Sequence, residues 1–164
     1  MIIKEEGIEQ LNARYLAKKL DCSTQPIFRN FKNMEELKRA TKEKIDEQYD
    51  SFIERNVDKS DHLYSMSVAY IHFAKEERFL FGALFVHPLI ESRNISGVLS
   101  SSWNLETIVN TEKQYSITRK KAEELYRDVR FYCHGIASQL YAGTIILENE
   151  EVEELVRNLI DRLK

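Results

Sequence analysis

Leu11-Asn12-Ala13-Arg14-Tyr15-Leu16-Ala17-Lys18-Lys19-Leu20-Asp21-Cys22-Ser23-Thr24-Gln25-Pro26-Ile27-Phe28-Arg29-Asn30-Phe31 divides by its own punctuation into two short helices. The side chain of Asn12 can take up a free N–H at a helix start, so a helix is expected over 13–20. Leu16, Ala17 and Leu20 fall on one face of it. Asp21-Cys22 supplies the turn, since Asp tolerates the left-handed region. Ser23 caps the second helix and sets Pro26 in its first turn, where the missing N–H costs little. That helix directs Ile27 and Phe31 inward and Thr24, Gln25, Arg29 and Asn30 outward. Two helices that cross closely need a small residue at the contact, and Ala17 provides it. The pair has the dimensions of a helix-turn-helix.

On either side the pattern stays helical. Residues 1–6 read as a helix that Gly7 ends in a left-handed cap. Asn33-Met34-Glu35-Glu36 is a capping-box pattern that opens a long helix to about Asn56, with Leu37, Ala40, Ile45, Tyr49 and Phe52 inward. Ser60 or Asp61 opens another, to about Glu76. Phe79 to His87 is apolar almost all round and is expected to be buried. Pro88 interrupts, and 92–102 reads as a loop. Helices follow over 103–112, 118–147 and 150–163. The chain carries only five Gly and two Pro in 164 residues. That scarcity favours helices joined by short turns, an all-α fold, over a sandwich or barrel.

The net charge of −3 discourages nucleic-acid binding, but its distribution does not. Residues 1–44 hold ten Lys/Arg against seven Asp/Glu, and the remainder is acidic. A small basic head on an acidic body suits a DNA reader whose bulk is repelled by phosphate. In the second helix Gln25, Arg29 and Asn30 are types that hydrogen-bond purine edges, and Asn12, Arg14 and Lys32 are placed to meet phosphates.

Other functional classes find little support. The histidines at 62, 72, 87 and 134 form no pair at metal-ligand spacing, so neither a metal nor another cofactor is expected. No nucleophile elbow, phosphate loop or dinucleotide fingerprint occurs, and an enzyme is not expected. No apolar run is long enough to span a bilayer, and the start has no leader pattern. Cys22 and Cys133 both fall at apolar helical positions and read as two buried thiols of a cytoplasmic protein.

The run from Leu11 through Lys32-Asn33-Met34-Glu35-Glu36-Leu37 resembles the DNA-binding domain of TetR-family transcriptional regulators. The family pattern is a Leu-Thr-x-Arg-x-Leu-Ala helix, a Gly-Val-Ser turn, an aromatic–x–His–Phe stretch and Lys-Glu-Glu-Leu. This chain departs from it at Asn12, Asp21, Phe28, Asn30 and Met34. Phe28 and Met34 lack the hydroxyl and ammonium that usually touch phosphate, which lowers affinity and flattens its salt dependence. The resemblance implies a head over 1–45 with DNA-facing residues Asn12, Arg14, Ser23, Thr24, Gln25, Pro26, Phe28, Arg29, Asn30 and Lys32. Family members carry about a dozen more residues in the first helix, so a marginal head is expected here.

The resemblance also implies a helical body over 46–164 that dimerises and binds a small molecule. A two-fold dimer through a four-helix bundle would use the last two helices, with Leu125, Val129, Ile136, Leu140, Val152, Leu155 and Leu159 at the interface. Aromatic residues concentrate in the middle of the chain, and an apolar or aromatic effector would meet Tyr70, Phe73, Phe81, Phe85, Trp103 and His134. His134-Gly135 resembles a signature of one TetR C-terminal subfamily. The function expected is a repressor of palindromic operator DNA, released by its effector. The alternative is a helical ligand-binding or dimerisation protein whose shortened head no longer binds DNA.

Overall fold

The computed structural model describes residues 2–89, 94–99 and 102–164, and among these every regular element is helical. The first, α1, runs Ile2–Glu6 and stops at Gly7, whose N–H bonds the carbonyl of Ile3 at 3.0 Å. Gly7 has φ 87 and ψ 172, so it turns the chain in an extended mirror conformation and not in the left-handed helical cap the sequence suggests. That region is all but closed to residues with a side chain. A single 3-10 turn, Ile8–Gln10, leads on.

Helix α2 is Ala13–Lys19, and Asn12 caps it by accepting the Tyr15 N–H at 2.8 Å. Asp21 takes φ 50, the left-handed turn expected of it. Leu20 is a correction: it is 63% exposed, because the helix has ended there and the helical period no longer aims its side chain inward. Cys22 is another, since it is exposed on the turn. Helix α3 spans Gln25–Asn30 and starts later than a Ser23 cap would place it. Ser23 still acts locally, its hydroxyl accepting the Gln25 N–H at 3.3 Å, and Pro26 lies in the first turn.

Helix α4, Met34–Asn56, has the expected length. Its capping box is altered: Asn33 accepts the Glu36 N–H at 2.9 Å, while the Glu36 carboxylate accepts the N–H of Lys32 at 2.5 Å instead of Asn33's. A 3-10 turn at Lys59–Asp61, with Asp58 accepting the Ser60 N–H, precedes α5, His62–Glu76. Helix α6, Arg78–Phe81, continues as a π turn over Gly82–Val86. Leu80, Phe81 and Ala83 are closed off, but Phe79 is 40% exposed, so the apolar run is not buried all round. Arg78–Phe81 is one turn long, and one turn must present a face to each side.

Within the expected loop, Ile95–Leu99 forms a short helix, α7; residues 92, 93, 100 and 101 lie outside the described residues. Helix α8 is Ser102–Tyr115 and α9 is Arg119–Ala142. The latter stops short of Leu147, because Gly143 takes the left-handed conformation (φ 73, ψ 22) and the N–H of Thr144 bonds back to the Gln139 carbonyl at 3.0 Å. This is the helix stop that glycine favours. Helix α10, Asn149–Leu163, opens with a full capping box between Glu148 and Glu151.

The chain divides into two compact units: Met1–Asp50 with Glu77–Glu91, and Ser51–Glu76 with Ser92–Lys164. Residues 46–50 and 77–89 thus pack with the N-terminal helices. In that unit α1 lies on α6, and an ion pair joins Lys4 to Glu77. Tyr49, Phe85 and Phe81 form a chain of tilted ring contacts at 5.3 and 5.2 Å.

The larger unit is organised by α5, of whose fifteen residues eleven are buried. It packs against α8, α9 and α10. Phe73 meets Phe52 edge to face at 5.3 Å. From α9 come Leu125, Val129, Cys133 and Ala137, and from α10 Val152, Val156 and Ile160, all nearly without exposure. Arg157 ties α10 down: its guanidinium lies 3.6 Å from the centre of the Tyr64 ring and donates to Asp61 at 2.6 Å. At the other end of α5, Lys75 donates to the Leu147 carbonyl and to Asn149.

Leu125 therefore closes the core of a single chain. Leu125→Ala is expected to lower the unfolding free energy by about 2–5 kcal/mol, measured by urea denaturation. Because the packing lies within one chain, the loss should not vary with protein concentration.

Candidate functional site

Ala17, Ile27 and Leu37 form a buried cluster between α2, α3 and α4, with Leu11, Leu16, Phe31 and Met34 packed partly exposed around them. Ala17 is 5% exposed, and the Cys22 N–H reaches its carbonyl at 2.9 Å across the turn. The small residue thus sits where the turn folds back on α2. A second brace comes from α1: Glu6 accepts hydrogen bonds from the Tyr15 hydroxyl and, at 2.6 Å, from Lys19. The Lys19 bond, followed by that of Tyr15, holds the Glu6 carboxyl below the usual carboxylate range.

Nearly all of the residues expected to face DNA are exposed. Asn12, Arg14, Ser23, Gln25, Pro26, Phe28, Arg29, Asn30 and Lys32 are exposed and Thr24 is half-buried. Phe28 is 45% exposed, an aromatic face in the open on a helix otherwise polar on that side. Two of these side chains are partly committed within the head. Asn12 spends its amide oxygen on the α2 cap, which leaves an asparagine's NH2 donors for other use. The Asn30 amide donates one N–H to the Pro26 carbonyl at 2.9 Å, which ties the side chain back along its own helix. Sequence spacing locates these residues but cannot reveal that competition, which is set by the rotamer.

Beside α2 and α3 is an apolar groove of about 430 Å³. Ile2, Ile3, Leu11, Leu16, Phe31 and Leu37 line it, with the exposed Glu43 and Lys44 also on its wall. Leu11, Leu16 and Phe31 are the same side chains that pack only partly against the buried centre, so the thin core and the groove are one feature seen from two sides.

The residues expected around an effector divide between the units. Phe81 and Phe85 belong to the first, where Phe81 has no exposed surface. Tyr70, Phe73, Trp103 and His134 belong to the second. There Phe73 is wholly enclosed, while Tyr70 and His134 enter a polar line through the apolar body. The Tyr70 hydroxyl is 2.9 Å from His134 Nδ1, and Ser138 Oγ lies 3.4 Å from Nε2. Arg130 is 5.9 Å from the centre of the Tyr70 ring and donates to the Tyr126 hydroxyl at 3.4 Å. Tyr126 in turn donates to Asn104, whose amide holds the Val98 carbonyl at 2.6 Å. Burial, then the Arg130 charge, lowers the pKa of His134. Burial pushes the Cys133 thiol up to about 12, which leaves it unreactive. Of this line the sequence pattern singles out only Tyr70 and His134; the helical spacing of Tyr126, Arg130 and His134 is the signal that could have found the rest.

Of the residues expected at a dimer interface, Leu125, Val129 and Val152 are 2%, 0% and 0% exposed in the single chain and have no surface left for a partner. Ile136 is 8% exposed; Leu140, Leu155 and Leu159 are half-buried. The outer face of α9 instead presents Phe131, 55% exposed, and Gly135, which among the described residues has no neighbouring atom within 4 Å of the position its Cβ would take. Glycine inside a helix costs about 0.5–1 kcal/mol relative to alanine. The space over Gly135 is open to a partner.

Among the described residues no three His, Cys, Asp or Glu side chains are grouped to hold a metal ion. None of the described helices is long and apolar enough to cross a membrane. Since the Asn12 cap both starts α2 and fixes the angle at which Arg14 leaves it, Asn12→Ala should destabilise the first unit by about 1 kcal/mol. Hydrogen exchange should register it as faster exchange in the first turn of α2, with α5 and α9 unchanged. No protein-family model matches the chain, and no curated protein sequence matches it.

Proposed function

We propose that this chain is a DNA-binding transcriptional regulator of the TetR type, a repressor released by a small-molecule effector. The observation that carries the reading is the exposed face of α3 and its flanks, where Gln25, Phe28, Arg29 and Lys32 stand in the open on a helix-turn-helix of the required dimensions. Arg29 would contact a guanine edge, and Arg14 and Lys32 would meet phosphates. The aromatic ring of Phe28 would pack on the sugar-phosphate backbone.

The protein would act as a two-fold dimer on a palindromic site. Phe131 and Gly135 favour α9 as the meeting surface: glycine permits close approach of a helix, and an exposed phenylalanine beside it has apolar area to bury. The half-buried Leu155 and Leu159 of α10 would extend the contact into a four-helix bundle. The effector would be a small apolar or aromatic molecule whose polar group exchanges hydrogen bonds with the Tyr70–His134–Ser138 line. Release of DNA requires only that this molecule bind one arrangement of the body more tightly than the other.

A second reading is favoured by the open groove and by Asn30 folded onto its own helix. In it the head no longer reads DNA, and the protein is a helical ligand-binding dimer.

Fluorescence anisotropy with duplexes from the region upstream of the gene separates the two readings. The regulator binds one palindromic duplex selectively, with affinity that falls steeply with salt. Equal, weak binding to all duplexes sinks it. Arg29→Ala should cost about 1–3 kcal/mol on the preferred duplex and little on others. In sedimentation, Phe131→Glu should convert a dimer into a folded monomer, and an unchanged dimer would remove α9 from the interface.

A further inference from the structure

His62 is the first residue of α5 and is 2% exposed. Its Nδ1 is buried without a hydrogen-bond partner among the described residues. Its Nε2 is 4.0 Å from Glu106 of α8, outside hydrogen-bond range, and Glu106 is itself 54% exposed. The neighbouring Ser65 commits its hydroxyl as a donor toward the carbonyls of Asp58, Asp61 and His62. A neutral ring can occupy such a position as a flat, mostly apolar filler. A charged one cannot do so without cost, because it sits at a helix N-terminus, where the backbone dipole opposes positive charge.

The charges around it do not reverse that balance. Lys59, on the turn before α5, opposes protonation, and Glu106, on α8, favours it from a largely solvated position. Asp61 is next in sequence but is engaged by Arg157 of α10 and Gln114 of α8. From α9, Arg130 acts on Tyr70, further along α5, and on His134 of its own helix. Burial therefore prevails and holds the ring below the usual histidine range.

We propose that His62 is an acid-sensitive fastener of the α5–α8 seam, which packs the seam when neutral and loosens the first turn of α5 from α8 when it takes up a proton. The first turn of α5 also carries Tyr64, on which Arg157 stacks, and follows Asp61, which holds Gln114 and Arg157. Loosening there would reach both α8 and α10. This gives the larger unit a response to pH that needs no effector and holds whether or not the chain binds DNA.

The sign follows from the lowered pKa. Stability from the neutral ring is present above the unfolded value, about 6.5, and is lost as pH falls below it. The folding constant falls by up to about tenfold per pH unit until the folded-state pKa is reached. Burial lowers the pKa of His72 and His134 as well, so the test must separate the three.

Trp103, the one tryptophan of the chain, lies on α8 one turn before Glu106 and reports on the seam. Its emission and the melting temperature of the full chain are to be followed from pH 7.5 to 5.5 in the wild type, H62Q, H72Q, H134Q and E106Q. The expected result is an emission change and a fall in melting temperature in the wild type. The emission change should be absent in H62Q and kept in H72Q and H134Q. In E106Q, which lacks the favourable carboxylate, the fall in melting temperature should be larger. An emission change kept in full by H62Q, or abolished by H72Q, overturns the proposal. If H62Q does not fold at pH 7.5, an NMR titration of the wild-type imidazole decides instead: titration well below the ordinary histidine value supports the fastener, and titration at or above it overturns it.

Discussion

The enclosure of α5 is the constraint on which the larger unit depends. A helix buried on most of its circumference has little amphipathic stripe to orient it, so its neighbours must fix its rotation and register. They do so with polar contacts at its two ends. Asp61 and Tyr64 engage Arg157 at one end, and Lys75 engages the start of α10 at the other. Between them, Leu63, Ile71 and Phe73 provide apolar contact without direction. Arg157 is well suited to its place, because a planar guanidinium can lie on a ring and donate sideways to a carboxylate together.

The N-terminal unit is organised by the opposite means. Apart from α4 its helices are short, α2 and α3 close over little more than Ala17, Ile27 and Leu37, and local capping carries much of the order. Asn12, Ser23 and Asn33 each satisfy a backbone N–H near a helix start, and Glu6 ties α1 to both ends of α2. Arg14, Gln25 and Arg29 take exposed positions on these short helices, which leaves few apolar side chains for the scaffold. The caps compensate by fixing where each helix starts.

Much of this architecture was legible in the sequence, for identifiable reasons. The strong signals were residues that act on their immediate neighbours: Asn12 as a cap, Asp21 as a left-handed turn, Pro26 in a first turn and Gly7 as a stop. Where the outcome depends on where a helix stops or on residues far away in the chain, pattern alone misled. Leu20 and Cys22 sit at apolar helical positions, yet the chain leaves the helix before they can be buried. The stripe Leu125, Val129 and Val152 was correctly apolar, but periodicity cannot say whether a face is covered by the same chain or by another copy. The polar line from Asn104 to Ser138 joins α8, α9 and α5, and such convergence is not written in any one segment.

The groove beside α2 and α3 carries a thermodynamic consequence. With Leu11, Leu16 and Phe31 only partly covered, α2 and α3 leave apolar area in water that the folding of this unit does not remove. A side chain that entered the groove would take that area out of water. Such burial would carry a negative heat-capacity change on folding. The stability of the unit would then curve more strongly with temperature, and a substitution that filled the groove without strain would raise it.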